Sequence, residues 1–206
     1  TGKSEGTDFT DSLLVGHSTT GTLDDASSNT GVGNASLDAI TSGDNNTAIG
    51  NSSLTDLNSG SNNTGLGANA VGNVTTSDHN TGVGVAAQFT NVTGASNTAV
   101  GSYSLYLATG SYNTVLGNDA GRAITSGAYN ICIGYDGGDN LVDGAGNIMI
   151  GTADFAATDS ARTFKVVSYD GSSTTNHIIS DSSGNMTLAA DLTIGDDLLL
   201  DSDSAV

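Results

Sequence analysis

The sequence predicts an all-β fold: a parallel β-solenoid, or β-roll, of about 17-residue coils, homotrimeric, followed by a further β-rich segment. Three observations predict it. A five-residue phrase recurs at an almost constant interval. Within each phrase small and large residues alternate, as in a short strand. The composition is too poor in large apolar side chains for one thick core.

The recurring phrase is Asn-Thr-x-Φ-Gly, with Φ aliphatic. It begins at Asn29, Asn46, Asn63, Asn80, Asn97 and Asn113, with diverged copies at Asn130 and Asn147. Successive copies are 17 residues apart, except for 16 between Asn97 and Asn113. A degenerate copy, Ser12-Leu13-Leu14-Val15-Gly16, lies one period earlier. So regular a period means stacked equivalent units.

The chain has 206 residues, no Pro, no Trp, one Cys and 29 Gly, and is 36% hydrophobic but only 5% aromatic. Ala, Val, Leu and Ile suit a core one side chain wide, which is all a solenoid needs. The formal charge is −18, from four Lys or Arg against 22 Asp or Glu. That surface repels nucleic-acid phosphates and anionic membranes. No apolar run approaches the ~18 residues of a membrane span, and no signal peptide is visible. Neither nucleic acid nor membrane insertion is therefore expected. The chain begins at Thr1, which reads as a processed product or a piece of a longer polypeptide.

In chain order, residues 1–10 read as a polar linker and residues 11–151 as the repeat domain. The unit at Asn46 shows the anatomy. Thr47, Ala48 and Ile49 alternate with period two and predict a short strand, which Gly50 ends. Leu54 and Leu57 carry apolar side chains into a second segment, and residues 58–62 form a turn. The second-segment pattern recurs as Leu37 and Ile40, Val71 and Val74, Leu105 with Tyr106 or Leu107, then Ile124 and Leu141. Gly43, Gly60, Gly94, Gly110, Gly127 and Gly144 recur in the turns, where a left-handed backbone is expected. Helices are excluded, because each unit carries two or three Gly and several Asn, Ser and Thr. Two or three short strands per coil, rising ~4.8 Å from coil to coil, give a rod roughly 40 Å long.

Neighbours in a strand face opposite ways. The aliphatic row Val32, Ile49, Leu66, Val83, Val100, Leu116, Ile133 and Ile150 is expected to fill the coil interior. The row Gly31, Ala48, Gly65, Gly82, Ala99, Val115, Cys132 and Met149 is then expected on the opposite face, its small members letting another backbone approach. Copies of the chain are expected to meet there round an axis, so Gly65→Leu should block assembly. The eight asparagines are expected to form a structural ladder, stacking, bonding one another and capping turns. Asn-x-Ser/Thr triplets at Asn34, Asn51, Asn73 and Asn91 match the glycosylation pattern, but an Asn- and Thr-rich repeat produces them by chance.

After Gly151 the repeat is expected to stop. Residues 152–161 read as a polar connector that opens a separate β-rich segment, 152–206, expected to be a trimeric β-prism or shaft. Strands are expected at 163–169, 176–180, 186–188, 192–194 and 198–200, with turns between. Three chains winding together would bury the leucines of this tail.

No catalytic constellation is present. His17, His79 and His177 lie far apart in sequence, with His79 in a turn slot. No Cys or His pair has zinc spacing. Cys132 sits in the small row, as packing. Asp24-Asp25 and Asp196-Asp197 are neighbours in turns and point apart. Calcium is the cation acidic turns could hold, yet the spacing matches neither an EF-hand loop nor the nonapeptide calcium repeat. No enzyme activity, metal or cofactor is expected.

The Asn-Thr-x-Ile/Val/Leu-Gly copies, with Ala/Ser-Leu and Thr-Ser-Gly between them, resemble the head repeat of trimeric autotransporter adhesins. They also resemble the similar repeat of phage tail and virion fibres, notably those of marine phages. Ser183-Gly184-Asn185-Met186-Thr187-Leu188-Ala189-Ala190-Asp191-Leu192-Thr193-Ile194-Gly195-Asp196-Asp197-Leu198 looks like a fibre-shaft segment of such phage proteins. The period is longer than adhesin heads usually show. The resemblance implies a homotrimeric β-roll or β-prism rod for reach and host attachment. Its partners would be other fibre or baseplate proteins and a glycan or protein receptor, with the chain on a virion or, alternatively, a bacterial surface. A further reading is a monomeric β-solenoid binding ice or polysaccharide through a flat row, Thr30, Thr47, Thr64, Thr81, Thr98 and Thr114. That row shares a face with the aliphatic row and is therefore expected to be buried.

Overall fold

A computed structural model describes residues 9–10, 12–16 and 25–188. His17, Asp24, Asp196-Asp197 and the strands expected at 192–194 and 198–200 lie outside the described residues, as does most of the expected linker.

Each Asn-Thr-x-Φ-Gly phrase makes one strand, and the strands stack in parallel. They are β2 (Leu13–Val15), β4 (Thr30–Val32), β5 (Thr47–Ile49), β6 (Thr64–Leu66), β7 (Thr81–Val83), β8 (Thr98–Val100), β9 (Thr114–Leu116), β10 (Ile131–Ile133) and β11 (Ile148–Ile150). Register follows the repeat: Thr47 lies opposite Thr64, Ala48 opposite Gly65 and Ile49 opposite Leu66. The 16-residue interval leaves register unbroken, with Ala99 opposite Val115. Two short strands, β1 (Phe9–Thr10) and β3 (Ala26–Ser27), pair separately in parallel. The result is a parallel β-solenoid of about nine coils with no helix among the described residues.

The stack does not stop at Gly151. β12 (Phe164–Tyr169) joins β11 in parallel, with Phe164 opposite Ile148 and Val166 opposite Ile150. The Thr163 amide donates to Asn147 Oδ1 at 3.0 Å, just as the amide of each motif asparagine from Asn46 onward donates to Oδ1 of the asparagine one coil earlier. Residues 152–163 thus close a further coil without the motif, where the sequence suggested a connector. β13 (Thr174–Ser180) and β14 (Met186–Leu188) then add antiparallel strands.

One strand per coil is regular, not two or three. The second segment is a bend wall with two left-handed residues in most coils, such as Ser52 (φ 54°) and Leu54 (φ 50°), or Asn69 and Val71. Left-handed residues break the pleat, yet the wall still bonds in both directions. The Ser52 amide reaches down to Asn34 O at 2.8 Å and the Leu54 amide up to Ala70 O at 3.0 Å. A left-handed Leu or Val costs ~1–2 kcal/mol. Complete burial of the same side chain offsets it by ~1.5–3 kcal/mol, and Leu37, Leu54, Val71 and Leu105 are all fully buried.

The corner glycines have a different purpose from the one the sequence suggested. Gly43 is not left-handed. A Cβ there would lie 2.2 Å from Gly60 O of the next coil, so glycine is needed for close stacking. The left-handed corner position is two residues on, at Asn45, Asn62, His79, Ser96, Tyr112 and Tyr129.

The interior is filled from two sides. The middle residue of each strand points in, and Leu or Ile of the bend wall meets it. One apolar cluster runs from Leu14 to Val74. A second runs from Ala87 to Val167. Between them, Gln88 and Asn91 occupy slots that hold Leu54 and Leu57 two coils earlier, and both are fully buried.

Candidate functional site: the strand face

The asparagine at the head of each strand turns inward. Asn46 illustrates the bonding. Its backbone amide and its Nδ2 both donate to Asn29 Oδ1, at 2.9 and 3.0 Å, and Nδ2 also donates to Gly60 O at 2.9 Å. Its own Oδ1 accepts from the Asn63 amide and Asn63 Nδ2. Asn29, Asn46, Asn63, Asn80, Asn97, Asn113, Asn130 and Asn147 are all fully buried. A buried amide this well bonded is structural, so the ladder leaves no free donor or acceptor for a ligand. The side-chain rungs lapse around Asn80, where Asn91 Nδ2 reaches Asn80 Oδ1 instead, at 3.3 Å.

The next three residues reverse the faces expected from sequence. Gly31, Ala48, Gly65, Gly82, Ala99, Val115, Cys132 and Met149 point into the coil. Val32, Ile49, Leu66, Val83, Val100, Leu116, Ile133 and Ile150 point out of it; Leu66 is 43% exposed and Leu116 48%. The cause is space. In the coils from Gly31 to Ala99 a bend-wall side chain such as Leu54 or Val71 already crosses the interior, so the strand contributes only a hydrogen or a methyl there. A Cβ on Gly65 would lie 2.4 Å from Ser53 Oγ and 3.2 Å from Leu54 Cγ. Gly65→Leu therefore disrupts the coil itself rather than a contact between chains.

The Thr row is outward too. Thr30, Thr47, Thr64 and Thr81 are half-buried, and Thr98 and Thr114 are exposed. Threonine and aliphatic columns thus lie side by side on one continuous strand face. It begins with Leu13 and Val15 on β2 and ends with Ile148 and Ile150 on β11. Towards its C-terminal end Ile131 and Ile148 replace threonine, so the face becomes more apolar there.

Among the described residues the cysteine and the histidines stand apart, and the carboxylates around Asp139 are the group that converges. Cys132 is buried among apolar neighbours, which pushes its thiol up to about 12, far from a reactive thiolate. His79 is exposed at its corner, and His177 Nε2 meets Ser168 Oγ at 2.9 Å on the hairpin. Burial, an Asp154 hydrogen bond and the charges of Asp154, Asp136 and Asp119 raise Asp139 to about 7. Among the described residues no group of three or more His, Cys, Asp or Glu could hold a metal ion. No helix among them is long and apolar enough to cross a membrane.

Comparison with protein-family models, curated proteins and solved structures returns no match. The strand face itself is the candidate functional surface. The sequence contained it as a Thr-x-Φ column but assigned it to the core; bend-wall residue size was the signal that could have placed it outside.

Proposed function

We propose that this chain is a non-enzymatic segment of a homotrimeric attachment fibre of a phage virion, giving reach and stiffness for host adhesion. The observation that supports the reading is the strand face. Apolar columns running the whole length of a rod are an unusual exposure for a monomer. Association of parallel copies would bury them. The hairpin fits the same reading: along β12 and β13 only Val167 is buried, so those strands lack a core of their own. Three chains side by side would give it one. The same rod serves the head of a bacterial surface adhesin equally well, and recovery of the chain from purified virions or from bacterial envelopes separates the two.

The test is sedimentation equilibrium of the full chain at micromolar concentration. The expected mass is about three times 20.3 kDa. Leu66→Glu with Ile49→Glu should give folded monomers, because six carboxylates would meet at the shared face. A wild-type monomer overturns the reading.

A second reading gains from the same observation. With the Thr row outward, the argument that burial disqualifies it falls away. A monomer could then present a flat Thr and aliphatic lattice to ice or a polysaccharide. Thermal hysteresis from a monomeric sample supports that reading, and a trimer that hides the face removes it.

A further inference from the structure

The bend wall carries a feature that neither the repeat nor the strand face requires. Six slots past the leading asparagine stand Ala35, Ser52, Asn69 and Ala86, then Tyr103. Nine slots past it stand Asp38, Thr55 and Gly72, then Phe89 and Tyr106, then Arg122. Earlier coils fold with small or polar side chains at these slots, so the aromatic residues are not demanded by the coil.

They nevertheless form an ordered group. Phe89 and Tyr106 stack with centroids 5.6 Å apart and planes 21° apart. Tyr103 meets Tyr106 at 5.7 Å and 54°. The Arg122 guanidinium lies 5.4 Å from the Tyr103 ring centre and 5.8 Å from that of Tyr106. Asp119 pairs with it at 3.2 Å. Phe89 is seated on Gly72, where a Cβ would come within 2.8 Å of the ring. Phe89, Tyr103 and Tyr106, with Asn69, Val85 and Ala86, line a shallow cavity of about 170 Å³. Tyr103 remains 39% exposed.

We infer that this cavity is a binding subsite for a single neutral pyranose ring of a glycan. Aromatic rings offer an apolar platform to the C–H face of a sugar, while the tyrosine hydroxyls and the Asn69 amide can bond its hydroxyls; the Arg122–Asp119 pair braces the two tyrosines from outside the cavity. The chain's charge of −18, with the nearby Arg122 already neutralised by Asp119, disfavours an acidic sugar. The bend wall is distinct from the strand face, so a homotrimer would display three such subsites and gain avidity. This deepens the attachment reading and rests on it for its biological sense, though the subsite itself needs only one chain.

The test is saturation-transfer NMR on the full chain with methyl pyranosides of glucose, galactose, mannose and N-acetylglucosamine, irradiating the aromatic protons. Transfer to at least one of them is expected. Tyr103→Asn with Tyr106→Thr, which copies Asn69 and Thr55 of the same slots, should cut it at least tenfold. Tyr112→Asn, on the distant Tyr112–Tyr129 corner stack, should leave it unchanged. Tyr103→Asn alone serves if the double variant fails to fold, with a severalfold loss expected. No transfer to any of the four, or transfer that these variants do not reduce, overturns the proposal. Sedimentation of the same samples keeps the readings apart: a glycan-binding monomer sinks the trimer alone, and a trimer without transfer sinks the subsite alone.

Discussion

At the residue scale the ladder asparagine is the most constrained group in each coil. Asn63 accepts from Asn80 N through its Oδ1 and donates through Nδ2 to Ser77 O and Asn46 Oδ1. Asn63→Ala leaves an amide and a carbonyl buried without partners, at ~1–3 kcal/mol each. A loss of roughly 2–6 kcal/mol is expected on denaturant unfolding. Asn63→Asp should be worse, since a carboxylate cannot donate to Ser77 O and would be buried without a counter-ion. Among the described residues, Asp139, hydrogen-bonded to Asp154, is a carboxyl whose charge depends on the fold near neutral pH. Its carboxyl is raised from an ordinary 3.8 to about 7, so the folded chain holds a proton that the unfolded chain releases in between. Its stabilising effect is full below the lower value and is lost as pH rises through the higher. The melting temperature should therefore fall as pH rises from about 4 to about 7 and level off above that, and Asp139→Asn should flatten that slope. Asp143, Asp170 and Asp181, all held low by hydrogen bonds, titrate below this window and do not disturb the comparison.

At the element scale, strand and bend wall share one interior, and their sizes compensate. Ala48 and Ala99 are accompanied by Leu54 and Leu105. Val115 and Cys132 are accompanied by Gly121 and Gly138. A Cβ on Gly121 would lie 2.9 Å from Ile124 Cδ1 and 3.3 Å from Val115 Cγ2. Val115→Ala alone should cost ~1–3 kcal/mol through an unfilled space. Gly121→Leu alone should cost a similar ~1–3 kcal/mol through overpacking. Together they recreate the Ala99–Leu105 coil, so a double-mutant cycle should show a favourable coupling of ~1–3 kcal/mol. Additive losses would refute shared filling. This compensation also explains what was legible in the sequence. Period, strand positions and parallel register follow from where Asn and Gly recur, because each coil must reproduce its neighbour's hydrogen bonds. Which strand face is interior does not follow, because a three-residue strand offers one alternation and hydrophobicity favours the wrong side. Apolarity alone favours Leu66 inside; Leu54 and Val71, reaching across the coil to Gly65 and Gly82, exclude it. The glycan subsite was legible only as aromatics at 89, 103 and 106, since the grouping depends on which slots lie on one wall.

At the scale of the whole molecule a solenoid is a one-dimensional stack, in which each coil is held only by its neighbours. A weak interface therefore divides it, and the polar layer at Gln88 and Asn91 is where the apolar core is interrupted. The layer is well bonded: Gln88 Nε2 donates to Thr81 O at 2.7 Å and to Asn97 O at 3.2 Å. Asn91 Nδ2 donates to Gln88 Oε1 at 3.1 Å and to Gly94 O at 2.9 Å, and Asn91 Oδ1 accepts from the Gly94 amide at 2.7 Å. Replacing a complete polar network by apolar groups of similar volume is commonly neutral or stabilising, by ~1–4 kcal/mol for buried ionic networks. Removing one member leaves its partners unpaired at ~1–3 kcal/mol. Gln88→Leu with Asn91→Leu, the residues of the Leu54–Leu57 coil, should accordingly match or exceed the wild type, whereas Asn91→Leu alone should fall below it. Native-state hydrogen exchange reads the consequence along the rod. Amides of the coils before residue 80 and after residue 97 should exchange as two blocks in the wild type, because the layer transmits less burial between them. The double variant should merge them into one. A single cooperative block in the wild type would mean that the asparagine ladder and inter-coil backbone bonds, rather than continuity of the apolar core, make the coils unfold together.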